Sequence, residues 1–229
     1  VKTFVALSTD KAVNPTGVMG ASKLVAERFL QALGEGSATK FVVVRFGNVL
    51  GSSGTIVPIF TRLLVRRQPI VVTHPEVARS FMTSTDAARL VMFAGAVAES
   101  SETYVLDMGE PVRIVELVKS LAFVMRVPKG DVEISFSGLR DGEKLSEELF
   151  FDDESRQRLG SSQVFRVSRP CRPLAEVRQW LGDLKGAILG EGPEAARGVL
   201  MEIAALDSTT SSVGIAPVGG NDGPQESRL

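Results

Sequence analysis

The chain has one cysteine (Cys171), one histidine (His74), one tryptophan and one tyrosine among its 229 residues. A single thiol excludes an internal disulfide and fits a reducing compartment. A lone histidine in a Thr-His-Pro-Glu loop supports no Ser-His-Asp arrangement, and no cluster has metal-ligand spacing. No apolar run approaches the roughly 18 residues of a membrane span, and no signal-peptide pattern is present. Neither sign of charge dominates: 26 Lys and Arg face 27 Asp and Glu, for a net charge of −1. That balance argues against nucleic acid or a polybasic membrane surface as partner.

At 44% hydrophobic and 23% charged, the chain reads as a globular protein with one sizeable core or two small ones. Its organising stretch is Phe4–Ala26. An unbroken apolar run, Phe4–Leu7, ends in Ser8-Thr9-Asp10-Lys11, Asn14-Pro15 breaks the chain, and a helical pattern carrying Lys23 begins. This is the pattern of a buried parallel strand that delivers side chains at its carboxyl end, where open α/β sheets bind ligands. A second apolar strand, Phe41–Phe46, follows a helix over 17–33 with Gly34 as its cap.

The next segments predict a Gly/Ser/Asn-rich loop over 47–55, a helix over 56–67 and short strands at 69–72 and 81–83. Ser84 or Thr85 then caps a helix to Val97, with Ala87, Leu90, Val91, Ala94 and Val97 facing inward. A strand at 104–107, a helix at 114–126 and a strand at 131–137 come next. Short helices are expected at 143–150 and 153–159, and a last strand at 163–167. Two helical patterns divide at 190–193, and Trp180 reads as core. From Asp207 on, the composition is too poor in apolar residues for a core and predicts a disordered tail.

Five ordered segments, STDKAVNPTGVMGASK, VVRFGNVLGSSGTIVPIF, ARSFMTSTDAARLV, YVLDMGEPVRI and GLRDGEKLSEEL, resemble the extended short-chain dehydrogenase/reductases. Within that superfamily they resemble the CapD-like polysaccharide-biosynthesis dehydratases. The resemblance covers the chain to about residue 170. It implies the C-terminal part of a Rossmann-like parallel sheet with a small substrate-binding α/β subdomain (1–170), then a helical extension (171–206) and the tail (207–229). It also implies an NAD-dependent UDP-sugar 4,6-dehydratase, of UDP-N-acetylglucosamine type: oxidation at C4, loss of water across C5–C6, and hydride return. NAD is expected in preference to NADP. A cytoplasmic location and a homo-oligomer of the complete protein are expected, with no membrane contact from this chain.

By the same resemblance Asp10 is the acid for the leaving hydroxyl and Lys11 the base for the C5 proton. Lys23 holds the nicotinamide ribose. Met19 stands where the superfamily has a proton-transferring Tyr, a departure shared with the membrane-linked CapD-like branch. Thr9 or Asp10 are then the candidates for the C4-hydroxyl base. Ser8, Phe46, Gly47, Asn48 and Val49 are expected beside the cofactor. Asn48, Ser52, Ser53, Arg79, Arg140 and Glu143 are expected around the sugar nucleotide, arginine's planar fork suiting phosphate. Asp141 stands where the family has Pro.

The family's G-x-G-x-x-G phosphate turn is absent, and Gly34-Glu35-Gly36 ends a helix instead of opening one. The chain therefore reads as a fragment, inactive by itself, whose first strand presents an apolar edge prone to self-pairing. Two other functions compete: a sugar-nucleotide epimerase of the same fold, and a non-catalytic sugar-nucleotide-binding lobe.

Overall fold

The two apolar runs lie side by side as parallel strands in the computed structural model, which describes residues 1–51, 55–160 and 162–209. Strand β1 (Thr3–Thr9) leads through a 3-10 turn (Asp10–Ala12) into α1 (Val18–Gly34). Then come β2 (Lys40–Phe46), β3 (Asn48–Leu50), α2 (Ile56–Val65), β4 (Ile70–Val72), β5 (Ala78–Arg79) and β6 (Phe81–Thr83). Next are α3 (Ser84–Val97), β7 (Thr103–Leu106), β8 (Val112–Arg113) and α4 (Ile114–Val124). The chain continues with β9 (Ile134–Phe136), β10 (Ser155–Arg158), β11 (Val164–Ser168), α5 (Leu174–Gly190) and α6 (Pro193–Thr209).

The main sheet has the order β1-β2-β7-β11-β10. β1, β2 and β7 run parallel, and β11 and β10 close the far side antiparallel. Val42, Val43 and Val44 of β2 are fully buried, as expected of a strand covered on both faces. On one face α1 packs with α5 and α6 through Leu24, Val25, Val177, Trp180, Leu200 and Ile203. On the other, Leu90 and Ala94 of α3 meet Val42, Val44 and Tyr104. A separate small core joins α2 and α4 to the β4–β9 pair through Phe60, Leu64, Ile70 and Val118. The helices after residue 170 thus share the sheet's core, and Trp180 is part of it.

Several expectations need correction. Ser155–Arg158 is a strand, not a helix: it pairs with β11 as an exposed edge, and Arg156 and Arg158 lie over the rings of Phe150 and Phe165. Residues 143–150 are irregular because their carbonyls serve other elements, Leu145 O accepting from Ala78 N and Arg79, and Leu149 O from Arg45. The loop at 47–55 contains β3, paired in parallel with β6. Thr83, not Ser84 or Thr85, caps α3 by accepting from Asp86 N. Val97 is exposed and Ala98 takes its inward place.

α2 and α4 stop short of Arg67 and Arg126, which turn to positive φ and close Schellman-type ends without glycine. Asp207, assigned to the tail by composition, lies in α6 and is buried. The rest of that tail, 210–229, lies outside the described residues, as do Ser52 and Ser53.

Candidate active site

The carboxyl end of β1 turns at once into the 3-10 segment, so Thr9, Asp10 and Lys11 are fixed relative to one another. Asp10 is buried, and its Oδ1 accepts from Thr9 Oγ1 at 2.8 Å and from Lys11 Nζ at 2.9 Å. Thr9 also accepts from the Lys11 backbone N–H, which closes the turn. Two glycines allow the close approach. A Cβ at Gly20 would stand 2.1 Å from the Lys11 carbonyl oxygen, and one at Gly47 would stand 2.8 Å from Asp10 Oδ2.

Beside this turn lies a cavity of about 400 Å3, lined by Lys11, Met19, Arg79, Arg140, Glu143 and Glu147, among others. It exists because residues 140–148 bridge the two cores. Thr16 Oγ1 donates to Gly142 O at 2.8 Å, and Lys144 Nζ to Val13 O at 3.0 Å. Across the cavity Arg79 donates to Ala78 O, Leu145 O and Glu143 Oε1 at 2.7, 3.1 and 3.2 Å. Glu143 also accepts from Thr73 Oγ1 and from the Arg140 backbone N–H. Gly142 holds φ +75° there, and a Cβ would meet Thr16 O at 2.7 Å, so glycine is required.

Five sequence-singled residues therefore share one cavity: Lys11, Met19, Arg79, Arg140 and Glu143. Asp10 sits behind Lys11. Ser8 and Lys23 border a different hollow of about 230 Å3 beside the exposed Phe4 and Leu7 of β1, where Lys23 Nζ donates to Leu7 O at 3.2 Å. Asn48 donates through Nδ2 and its backbone N–H to Ser80 O, which joins β3 to β6. Phe46 ends β2, and Val49 lies in β3. His74 Nδ1 accepts from Glu76 N, a turn-closing role.

A larger hollow, about 540 Å3, opens beside Glu35, Ser101, Glu102, Arg166 and Cys171. It lies at the amino ends of the parallel strands, the opposite end from the one at which such sheets take ligands. Burial pushes the Cys171 thiol up, with Glu35 adding to it, which fits an inert cysteine.

Sequence reasoning passed over two sets of residues. The first is a buried ionic network: Arg45, 1% exposed, donates to Glu27 Oε2 at 2.6 Å and to both oxygens of Glu154, and Ser8 Oγ donates to Glu27. Burial works against the Arg45 charge, and the two carboxylates more than offset it, holding its pKa above the ordinary value. An arginine inside an apolar strand was the available signal. The second is Glu147, whose carboxyl faces the cavity and is pushed up by burial, with Lys11 and Arg79 opposing. It falls in the segment expected as a short helix over 143–150, which is irregular.

A Rossmann-type sheet with its polar cavity at the carboxyl end of β1 defines the chain as part of an extended short-chain dehydrogenase/reductase fold. The chain belongs to the polysaccharide biosynthesis protein family, whose model matches residues 1–169. It is 50% identical over 167 residues to the capsular polysaccharide biosynthesis protein CapD of Staphylococcus aureus, covering 72% of this chain and 28% of CapD. It is 52% identical over 153 residues to the probable polysaccharide biosynthesis protein EpsC of Bacillus subtilis (strain 168), covering 67% and 26%. Among solved structures, Pen from Bacillus thuringiensis is 31% identical with a TM-score of 0.66, over 76% of this chain and 54% of Pen. The chain thus spans little more than a quarter of the length of these two curated relatives.

Proposed function

We propose that this chain carries the substrate half of the active site of an NAD-dependent UDP-sugar 4,6-dehydratase. The observation that carries the reading is Lys11 Nζ, held 2.9 Å from Asp10 Oδ1 at the wall of the arginine-bearing cavity. An elimination needs a base and an acid in reach of adjacent carbons, and a lysine against a buried carboxyl supplies both. Lys11, at the cavity wall, is the base for the C5 proton. Asp10 is the acid for the departing C6 hydroxyl, which it reaches from behind the cavity wall through Thr9 or Lys11, the two donors hydrogen-bonded to it.

Arg140, exposed at the cavity rim, and Arg79 face the diphosphate, and Glu143 holds Arg79 in place. Lys23 beside the end of β1 suits the nicotinamide end of a dinucleotide. That cofactor, when bound, supplies the hydride acceptor and donor. No glycine-rich phosphate turn in this chain matches the pyrophosphate, so the pyrophosphate seat is expected elsewhere in the complete protein. A cytoplasmic site of action and a homo-oligomeric complete protein belong to the same reading.

The test is incubation of the full-length protein with UDP-N-acetylglucosamine and NAD. The expected product is the 4-keto-6-deoxy sugar nucleotide, lighter than substrate by one water. A C4 epimer instead would establish the epimerase reading, and binding without turnover would leave only a sugar-nucleotide-binding lobe.

A further inference from the structure

Oxidation at a sugar carbon requires a group that takes the hydroxyl proton, and the thioether of Met19 cannot. Two carboxyls stand beside Lys11. Asp10 has a side chain only 2% exposed, is engaged by Thr9 and Lys11, and does not line the cavity. Glu147 does line it, as do Met19 and Lys11, and Lys11 acts on its charge. Its side chain is 8% exposed, and the nearest cationic nitrogen, Arg79 Nη2, is 3.9 Å away, beyond hydrogen-bonding reach.

That guanidinium is already committed to Ala78 O, Leu145 O and Glu143. Among the described residues, no group donates a hydrogen bond to Glu147. A nearly enclosed carboxylate without a donor gains most from one brought by the ligand, and a sugar hydroxyl is such a donor.

We propose that Glu147 is the general base for the hydroxyl at the sugar carbon that is oxidised. The proposal rests on the function read above only for that oxidation, a step that dehydratases and epimerases share. The O–H bond breaks and its proton passes to a Glu147 oxygen. The oxygen's electron pair closes the carbonyl, and the hydrogen on carbon leaves with its pair to a nicotinamide oxidant. In the dehydratase the ketone remains at C4, so Glu147 then loses its proton to solvent. Lys11, Arg79 and Lys144 face Glu147 as cations and Asp10 as an anion. Burial prevails and raises its proton affinity, which makes the ionised carboxylate a stronger base.

The test uses the full-length protein with UDP-N-acetylglucosamine and NAD. Glu147→Gln should lower kcat about 100-fold or more while KM stays within about threefold, since general-base catalysis is worth roughly 10²–10⁴. The native kcat/KM should rise with pH through a limb above the ordinary carboxylate range, and the variant should lack it. Glu147→Asp should keep the limb at reduced kcat. Independently of turnover, carboxyl 13C-NMR of this chain should show Glu147 titrating above the ordinary glutamate range and shifting when UDP-N-acetylglucosamine is added.

Native-like kcat and an unchanged limb in Glu147→Gln would overturn the proposal. Should that variant fail to fold, a flat profile in Glu147→Asp would overturn it instead. If the native protein forms no product, the functional reading fails. The NMR arm still decides, because a Glu147 signal unmoved by the sugar nucleotide removes it as a contact.

Discussion

Two ionic clusters lie near the carboxyl end of β1, and they differ in whether their charges are used up. Around Arg45 every valence is satisfied: the guanidinium meets Glu27 on one side and Glu154 on the other, all three under 10% exposed. At Asp207, likewise, Arg28, Arg169 and Arg172 converge on one buried carboxylate and fasten α6 to α1 and to the segment following β11. Around Arg79 the balance is left open. Lys11, Arg140 and Glu147 border a cavity, and Glu147 has a charged neighbour but no hydrogen-bond donor among the described residues. The saturated groups hold the fold, and under the proposed function the open ones are left for a ligand.

The largest effect should come from breaking the saturated cluster. Arg45→Met strands Glu27 and Glu154 as buried carboxylates, and chemical denaturation should show a loss of about 3–5 kcal/mol. Replacing Glu27 and Glu154 with leucine in the same chain should recover most of that loss. If Arg45→Met alone is neutral, the network is not structural.

The open cluster should behave the other way. Lys11→Met, in the full-length protein, should cost about 100-fold or more in turnover and leave the denaturation midpoint close to native. A large stability loss would move Lys11 to the structural side of the comparison.

Glu147 sharpens the contrast through pH. Its folded pKa is raised, so the stability it contributes is present below the unfolded value and is lost as pH rises through the folded value. Glu147→Gln should therefore melt at or above the native temperature at pH 8, with the difference shrinking as pH falls through the folded value. A variant less stable than native at pH 8 would contradict the raised pKa. The smallest effect belongs to exposed pairs: Arg67→Ala, which removes the contact to Asp131, should change stability by no more than about 0.5 kcal/mol.

Much of the fold was legible because strong local signals coincided with tertiary demand. Phe41–Phe46 could hardly be anything but a central strand, and the helices of residues 17–33 and 173–206 carried clear apolar stripes. The segments around 143–159 were misread because their conformation is set from outside. The backbone of 155–158 is claimed by β11, and the carbonyls of 145 and 149 by Ala78, Arg79 and Arg45.

The site was legible in part. Lys11, Met19, Arg79, Arg140 and Glu143 do meet in one cavity, whereas Lys23 stands at the β1 edge beside the exposed Phe4 and Leu7. Glu147 could not be found by spacing, since its place depends on an irregular segment crossing from one core to the other. Asp207 was lost to the tail because composition does not register three arginines gathered from distant parts of the chain.

The central claim, that this chain carries the sugar-nucleotide seat without the dinucleotide phosphate seat, is tested most directly by calorimetry. Titrations of the chain with UDP-N-acetylglucosamine and, separately, with NAD would decide it. The account predicts saturable binding of the sugar nucleotide, lost in the Arg79→Ala, Arg140→Ala double variant, and no tight binding of NAD. Tight NAD binding, or sugar-nucleotide binding indifferent to both arginines, would contradict it.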